Sequence, residues 1–140
     1  MAAKKKAPAR KQPVRRAPLQ TVLAKLRKIC LAVPGAVEKE SHGEPTWFTG
    51  AKGRVFAMFD NHHHDAPHVS VWLPTPRELQ ETLVASDPSK YFVPPYVGSK
   101  GWVGVVLDTN PDWKVVEGLI REAFASVTLT TPPRKTRAKR

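Results

Sequence analysis

Apolar positions with a helical period lie near both ends of the central part of the chain. Between residues 19 and 33 they recur at intervals of three and four, and Pro34-Gly35 ends the pattern. A second stripe follows Asn110-Pro111, a cap residue and a proline that favour a helix start. The pattern predicts two amphipathic helices with buried stripes at Leu19, Val22, Leu23, Leu26, Ile29, Cys30 and Val33, and at Trp113, Val116, Ile120, Ala123, Phe124 and Val127.

Alternating apolar and polar residues predict strands between these helices. Thr46–Thr49 and Arg54–Asp60 flank Gly50–Gly53, whose composition is typical of a hairpin turn. His68–Leu73 predicts a third strand. Gly101–Asp108 predicts a fourth, with Val103, Val105 and Leu107 on one face.

The segment between the third and fourth strands contains one further helix signal. Thr75-Pro76-Arg77-Glu78 matches a capping box with proline at the first helical position, which predicts a helix over 76–85. Residues 86–100 hold three prolines and are predicted to be irregular. The order α-β-β-β-α-β-α with short connections predicts an α+β fold, a mainly antiparallel sheet with helices packed on one face.

Charge divides the 140 residues into three parts. The formal net charge is +11, yet residues 1–18 carry seven basic side chains and residues 132–140 carry five, with no acid in either. Residues 19–131 hold eleven basic and all twelve acidic side chains, a net charge of −1. Both ends are poor in large apolar residues and are predicted to be disordered basic tails around one folded domain over 19–131.

Several classes of protein are disfavoured by composition. No run approaches the ~18 apolar residues of a membrane span. One cysteine, Cys30, cannot form an intrachain disulfide framework and lies on the apolar helical stripe, which predicts a buried structural role. The N-terminal residues lack the apolar stretch of a secretory signal. We therefore expect a cytoplasmic protein, with nucleoid association as an open alternative.

Four sequence elements carry a resemblance to a known family. They are Pro34-Gly35, Gly43-Glu44-Pro45-Thr46-Trp47-Phe48, Lys52 with Val55-Phe56-Ala57, and Trp102-Val103-Gly104-Val105-Val106-Leu107-Asp108. In this order they resemble the MmcQ/YjbR family of small bacterial proteins, over about residues 20–130. The resemblance implies a frataxin-like (CyaY-like) fold, also compared with a phage transcription factor, which is why members are often labelled DNA-binding. It supplies no catalytic residues.

This chain departs from the family pattern at three places. They are an inserted Gly53, a His-rich loop over 61–68 and the two basic tails. Functions specific to this member are expected at these departures.

The basic tails are the first candidate site. Lys and Arg neutralise phosphates and release condensed counterions, which gives salt-sensitive, sequence-independent affinity for nucleic acid. The alternative is a solubilising extension without a specific partner. The predicted phosphate contacts are Lys4, Lys5, Lys6, Arg10, Lys11, Arg15, Arg16, Arg134, Lys135, Arg137, Lys139 and Arg140.

The second candidate is an aromatic sheet face. If the strands align as predicted, Phe56, Trp72 and Trp102 share one face with Gly104, and such a face can stack a flat ligand or an unpaired base. The alternative is that a helix covers the face and these residues belong to the core. This hypothesis describes a small-ligand or protein-partner module in which the tails are incidental.

Metal binding and catalysis have weaker support. His62, His63, His64 and His68 lie close in sequence, but adjacent side chains of one loop seldom form a closed coordination sphere, so no metal or other cofactor is predicted. His42 beside Glu44, and His68 near Asp65, are conceivable acid–base pairs without a nucleophile or phosphate-binding motif. We expect a protein without enzymatic activity.

Overall fold

The computed structural model describes residues 18–61 and 68–129 of the chain. Its strands form one open sheet of order β1-β2-β3-β4-β6-β5, in which all neighbouring strands are antiparallel. The elements are α1 (Leu19–Ala32), β1 (Val37–Ser41), β2 (Glu44–Phe48), β3 (Val55–Asn61), β4 (Val69–Leu73), α2 (Arg77–Ser86), β5 (Tyr91–Phe92), a 3-10 turn (Val97–Lys100), β6 (Val103–Val106) and α3 (Trp113–Leu129). The predicted α+β class and antiparallel sheet are confirmed.

The main core lies between the sheet and the helices α1 and α3. Val22, Leu26 and Cys30 of α1 are buried against it, as are Val116 and Ile120 of α3. Alternate residues of β4 and β6 complete this core from the sheet side: Val69, Val71, Leu73, Val103 and Val105. This packing defines a helix-covered face of the sheet and an opposite face.

Cys30 has the buried structural position that its sequence predicts. Its side chain is fully buried and is not joined in a disulfide. Burial raises the pKa of the Cys30 thiol far above its ordinary value, and the charge of Glu38 adds to this effect. The residue is therefore a small apolar side chain of the core.

Two strands were not predicted from the sequence. The sequence of β1 (Val37–Ser41) is mostly polar, because β1 is an edge strand with two exposed charged residues, Lys39 and Glu40. β5 (Tyr91–Phe92) is only two residues long and falls within a proline-rich segment. Neither strand offers the alternating pattern from which a strand is predicted.

The predicted caps of α2 and α3 are wrong. The Thr75 hydroxyl donates to the carbonyl of Gly101 at 2.6 Å instead of capping α2, which begins at Arg77. α3 begins at Trp113, because the carboxylate of Asp112 accepts from the backbone N–H groups of Lys114 and Val115. Thr75 thus has a partner other than the helix, and Asp112 takes the capping position that the sequence assigned to Asn110.

The helices were also compared with the requirements of a membrane span. Within residues 18–61 and 68–129, no helix combines the length and the apolar character that a bilayer span requires.

Candidate ligand-binding cleft

A cleft of about 510 Å³ opens on the sheet face opposite α1 and α3. Its volume lies in the range of about 300–1,000 Å³ that small-ligand sites occupy. It is bounded by the β1–β2 turn, by β3 and β4, and by the segment that precedes the 3-10 turn. The lining residues are Ser41, His42, Glu44, Met58, Phe59, Asp60, Trp72, Tyr96 and Val97.

The floor of the cleft belongs to a row of residues that crosses the whole sheet. Strand pairing places Met58 opposite Trp72 and Trp72 opposite Gly104. Continued to both edges, the same row reads Lys39, Thr46, Met58, Trp72, Gly104 and Phe92. These six residues share the face opposite the helices because directly paired residues project to the same side.

Trp72 is held rigidly in this row. Its indole Nε1 donates to Ser70 Oγ at 3.1 Å, and only 4% of the side chain is exposed. On the neighbouring strand Gly104 has no side chain, and the ring of Phe92 occupies the space above it. Trp72 is therefore a fixed apolar floor that needs no rearrangement before a ligand is bound.

The β1–β2 turn brings polar groups to one end of the cleft. His42 and Gly43 have φ values of 56° and 83°, the two positive values that a two-residue type I′ hairpin turn needs. Glu44 follows the turn, and its Oε2 accepts from the backbone N–H of Asn61 at 3.2 Å. The β2–β3 register, continued by two residues, places Glu44 beside Asp60 on the cleft face. Two carboxylates therefore border the same end of the cavity.

The opposite wall is formed by Tyr96 and Val97. Tyr96 has φ 66° and ψ −67°, and the N–H of Val97 donates to the carbonyl of Pro95 at 2.7 Å. These values define a γ-turn with positive φ, a rare and strained conformation for a residue with a β carbon. The Tyr96 side chain is 74% exposed. An aromatic ring therefore projects from a strained turn at the mouth of the cleft.

This wall is anchored by one buried amide. Gln80 is 3% exposed, and its Nε2 donates to the carbonyls of Gly98 and Trp102, at 2.9 and 2.6 Å. The two bonds tie α2 to both ends of the 3-10 turn, so that α2 fixes the position of the segment next to Tyr96.

The predicted aromatic face is partly wrong. Trp72 and Gly104 share the face opposite the helices, but Phe56 packs against Phe124 of α3, with ring centroids 5.0 Å apart and an interplanar angle of 85°. The cause is a register shift between Trp47 and Phe48 that adds one residue to β3 and turns Phe56 toward the helices. Trp102 is half-buried just before β6 and does not line the cleft.

Of the other predicted site residues, His68 lies within the described ranges and the rest lie outside them. His68 Nδ1 lies 3.5 Å from the carboxylate of Asp108, which is 97% buried. Within the described ranges, no three His, Cys, Asp or Glu side chains are placed to hold a metal ion. The predicted site residues that lie outside the described ranges are the loop histidines His62, His63 and His64 and all twelve basic residues of the predicted tails.

Sequence reasoning did not assign Met58, Asp60 or Tyr96 to a site. Met58 and Asp60 were included in a predicted strand, but which face they occupy depends on the register shift in β3. Tyr96 lies within residues 86–100, for which the sequence predicts irregular structure. Its positive φ has no sequence signal, since glycine or asparagine is the residue expected at such a position.

The whole architecture is similar to the crystal structure of Deinococcus radiodurans protein DR2400, which contains a DUF419 domain. The TM-score is 0.66 at 21% identity, over 85% of this chain and 83% of that chain. The class defined by the fold is thus an α+β domain with an open antiparallel sheet. The family model YjbR matches residues 31–126, and this chain belongs to the YjbR family.

A curated protein with a different description also matches in sequence. NLP effector protein 3 of Phytophthora capsici is 25% identical over 92 residues, which cover 56% of this chain. The match spans 39% of the length of that protein.

Proposed function

We propose that the YjbR domain of this chain is a binding module without enzymatic activity, whose cleft takes a small ligand with a flat apolar part. The observation that carries the proposal is the 510 Å³ cleft over the fixed indole of Trp72. Met58 and Val97 are half-buried and offer apolar surface beside the buried indole of Trp72, which contributes affinity but no proton transfer. The polar groups at one end then orient the ligand.

The experiment uses quinoline, a neutral and flat bicyclic probe, in an NMR titration of the full chain. The chain has four tryptophans, and each indole N–H gives its own signal. We expect quinoline to shift the indole signal of Trp72, whereas Trp47, fully buried on the helix-covered side, stays unchanged. Shifts at Trp47 with none at Trp72 would contradict the proposal.

A pair of substitutions supplies the control. Met58→Trp fills the cleft with a larger side chain and is expected to abolish the quinoline shifts. Leu31→Trp adds the same side chain at a 45% exposed position on α1, and should bind quinoline as the unaltered chain does. Equal binding by both variants would reject the cleft as the site.

A second candidate function is sequence-independent nucleic-acid binding through the basic residues of 1–18 and 132–140. It is favoured by the charge distribution, since those residues carry twelve of the 23 basic side chains and no acid. The described residues have eleven basic and eleven acidic side chains, so they offer no excess positive charge. On this proposal the protein is cytoplasmic and associated with the nucleoid, and the tails supply the phosphate contacts.

Binding to a DNA duplex over a salt series tests this second function. Each phosphate contact contributes a slope of about −0.9 to log K against log salt. One variant replaces the five basic residues of the C-terminal tail by Gln, and a control replaces five exposed basic residues of the domain: Lys28, Lys52, Arg54, Lys100 and Lys114. The proposal expects the slope to become shallower in the tail variant alone. Equal slopes in both variants would reject it.

A further inference from the structure

We infer that the ligand of the cleft is a small flat cation, which Tyr96 covers from above while its positive charge faces Glu44 and Asp60. The inference rests on the proposed ligand-binding function of the cleft and adds the chemical class of the ligand. It also assigns to Tyr96 a role in specificity.

The first argument is the conformation of Tyr96. A residue with a β carbon at φ 66° and ψ −67° lowers the stability of the fold. Burial compensates little, because the residue is 74% exposed. The residue lines the mouth of the cleft, where its exposed aromatic ring is placed to contact a bound ligand.

The second argument is the support of the strained turn. The Ser99 hydroxyl donates to the carbonyl of Tyr96 at 3.0 Å, and the N–H of Gly98 donates to the carbonyl of Pro94 at 3.0 Å. Together with the Gln80 bonds, these contacts hold the backbone beneath the ring. The backbone of Tyr96 is thus held at the mouth of the cleft, which lowers the backbone entropy lost on binding.

The third argument is charge. Glu44 and Asp60 border one end of the cleft, and neither lysine nor arginine occurs among its described lining residues. Carboxylates attract a cation and repel phosphates or carboxylates of a ligand. The faces of tyrosine and tryptophan rings also attract cations. Both features select the same ligand class, an aromatic ring system with a positive charge.

Two probes of nearly equal shape separate charge from apolar contact. N-methylquinolinium carries a permanent positive charge, and quinoline is neutral at pH 8. We expect calorimetric titration of the full chain at low salt to give about tenfold tighter binding of the cation. Equal affinity for the two probes would overturn the inference while leaving the proposed function intact. Absence of binding by both probes would instead reject the proposed function.

Substitutions at Glu44 test the source of the preference. Glu44→Gln keeps an acceptor for the N–H of Asn61 but removes the charge, and should reduce the preference for the cation over quinoline. Glu40→Gln is the matched control, because it removes a carboxylate of the same hairpin from an exposed position outside the cleft. An unchanged preference in Glu44→Gln, or an equal loss in both variants, would overturn the assignment.

Substitutions at Tyr96 test the covering ring. Tyr96→Ala should weaken the binding of N-methylquinolinium by about three- to thirtyfold, and Tyr96→Phe should bind this cation nearly as tightly as the unaltered chain. Both variants retain the backbone that Gln80 supports. Unchanged affinity in Tyr96→Ala would overturn the role of the ring. A measured affinity that falls as protein concentration rises would show that a second copy of the chain competes for the cleft, and would overturn the inference.

Discussion

The ring of Phe92 lies over Gly104, across the pairing of β5 with β6, and excludes a side chain at position 104. A Cβ atom at Gly104 would come within 2.3 Å of Phe92 Cζ. Gly104 therefore serves close packing, and the Phe92 ring extends the aromatic row that begins at Trp72.

We predict that Gly104→Ala lowers the free energy of unfolding by about 1–3 kcal/mol, the usual cost of overpacking. In a Phe92→Leu background the same substitution should cost less, since the ring is gone. Denaturant unfolding of the four proteins measures the coupling. Gly118→Ala is the control: nothing lies within 4 Å of its Cβ, and removing a helical glycine should stabilise α3 by about 0.5–1 kcal/mol. An equal cost of Gly104→Ala with and without Phe92 would contradict the packing argument.

A second prediction concerns Glu38, which joins α1 to the first hairpin. Its carboxylate accepts from Trp47 Nε1 at 3.1 Å and from Arg27 Nε and Nη2, at 2.9 and 3.0 Å. The hydrogen bond with Glu38 raises the pKa of Arg27. Glu38→Ala should lower the free energy of unfolding by about 1–3 kcal/mol, because the buried indole N–H of Trp47 loses its acceptor.

The partner Arg27 supplies the contrast. Its side chain is 42% exposed, so Arg27→Met should cost no more than about 1 kcal/mol. Glu38→Gln keeps an acceptor for Trp47 and should fall between the two. Thermal unfolding of the three variants measures the order of their stabilities. A larger loss of stability in Arg27→Met than in Glu38→Ala would contradict the prediction.

The third prediction is a loss of stability at alkaline pH from Cys30. In the unfolded chain a thiol ionises above about pH 8.5, whereas burial raises the pKa of folded Cys30 well above this. The pKa of Cys30 is higher in the folded state than in the unfolded state. The protonated thiol therefore contributes fully to the free energy of unfolding below about pH 8.5, and this contribution decreases as the pH rises. The slope of the free energy of unfolding approaches about 1.4 kcal/mol per pH unit above the pKa of the unfolded thiol.

Denaturant unfolding between pH 7.5 and 9.5 measures this slope, below the ordinary range for tyrosine and lysine ionisation. Cys30→Ala should lack the extra slope although it is less stable at every pH, because it leaves a cavity. Identical slopes for Cys30→Ala and the unaltered chain would show that the thiol does not titrate on unfolding.

The fourth prediction separates strain from side-chain contact at Tyr96. Tyr96→Gly should be more stable than Tyr96→Ala by about 1 kcal/mol, because only glycine relieves the positive φ. Val93 is 54% exposed in the same segment and has no positive φ, so there glycine should be less stable than alanine. Chemical unfolding of the four variants measures both differences. If the glycine variant were more stable than the alanine variant at both positions, or less stable at both, the strain argued for Tyr96 would be contradicted.

What could be predicted from the sequence is what depends on local pattern. The stripe of α1 was correct except for Leu19, which is 40% exposed at the start of the helix. The turn over Gly50–Gly53 was correct, since the helical period and the turn residues act within a few positions. The side of the sheet that Phe56 occupies was wrong, because one extra residue in β3 reverses the alternation. The predicted caps were wrong because Thr75 bonds the carbonyl of Gly101 and because Asp112, not Asn110, accepts from the first N–H groups of α3.

The cleft depends on relations that no local pattern contains. Its two ends, near Glu44 and Tyr96, are about fifty residues apart and meet only through the order of the strands. The resemblance noted in the sequence gave the family correctly, and the family model confirms it. It gave no site, because the family pattern supplies no functional residues to transfer.

The strand order also constrains the sequence of folding events. β6 lies between β4 and β5, although β5 comes before it in the chain, and β5 is hydrogen-bonded to β6. β1 to β4 are joined by successive hairpins, whereas β5 is a two-residue strand at the edge of the sheet and pairs only with β6. The segment leading from β5 to Tyr96 is thus expected to order last and to open first in hydrogen exchange. The wall of the cleft would then be able to move on a timescale at which the remaining sheet stays closed.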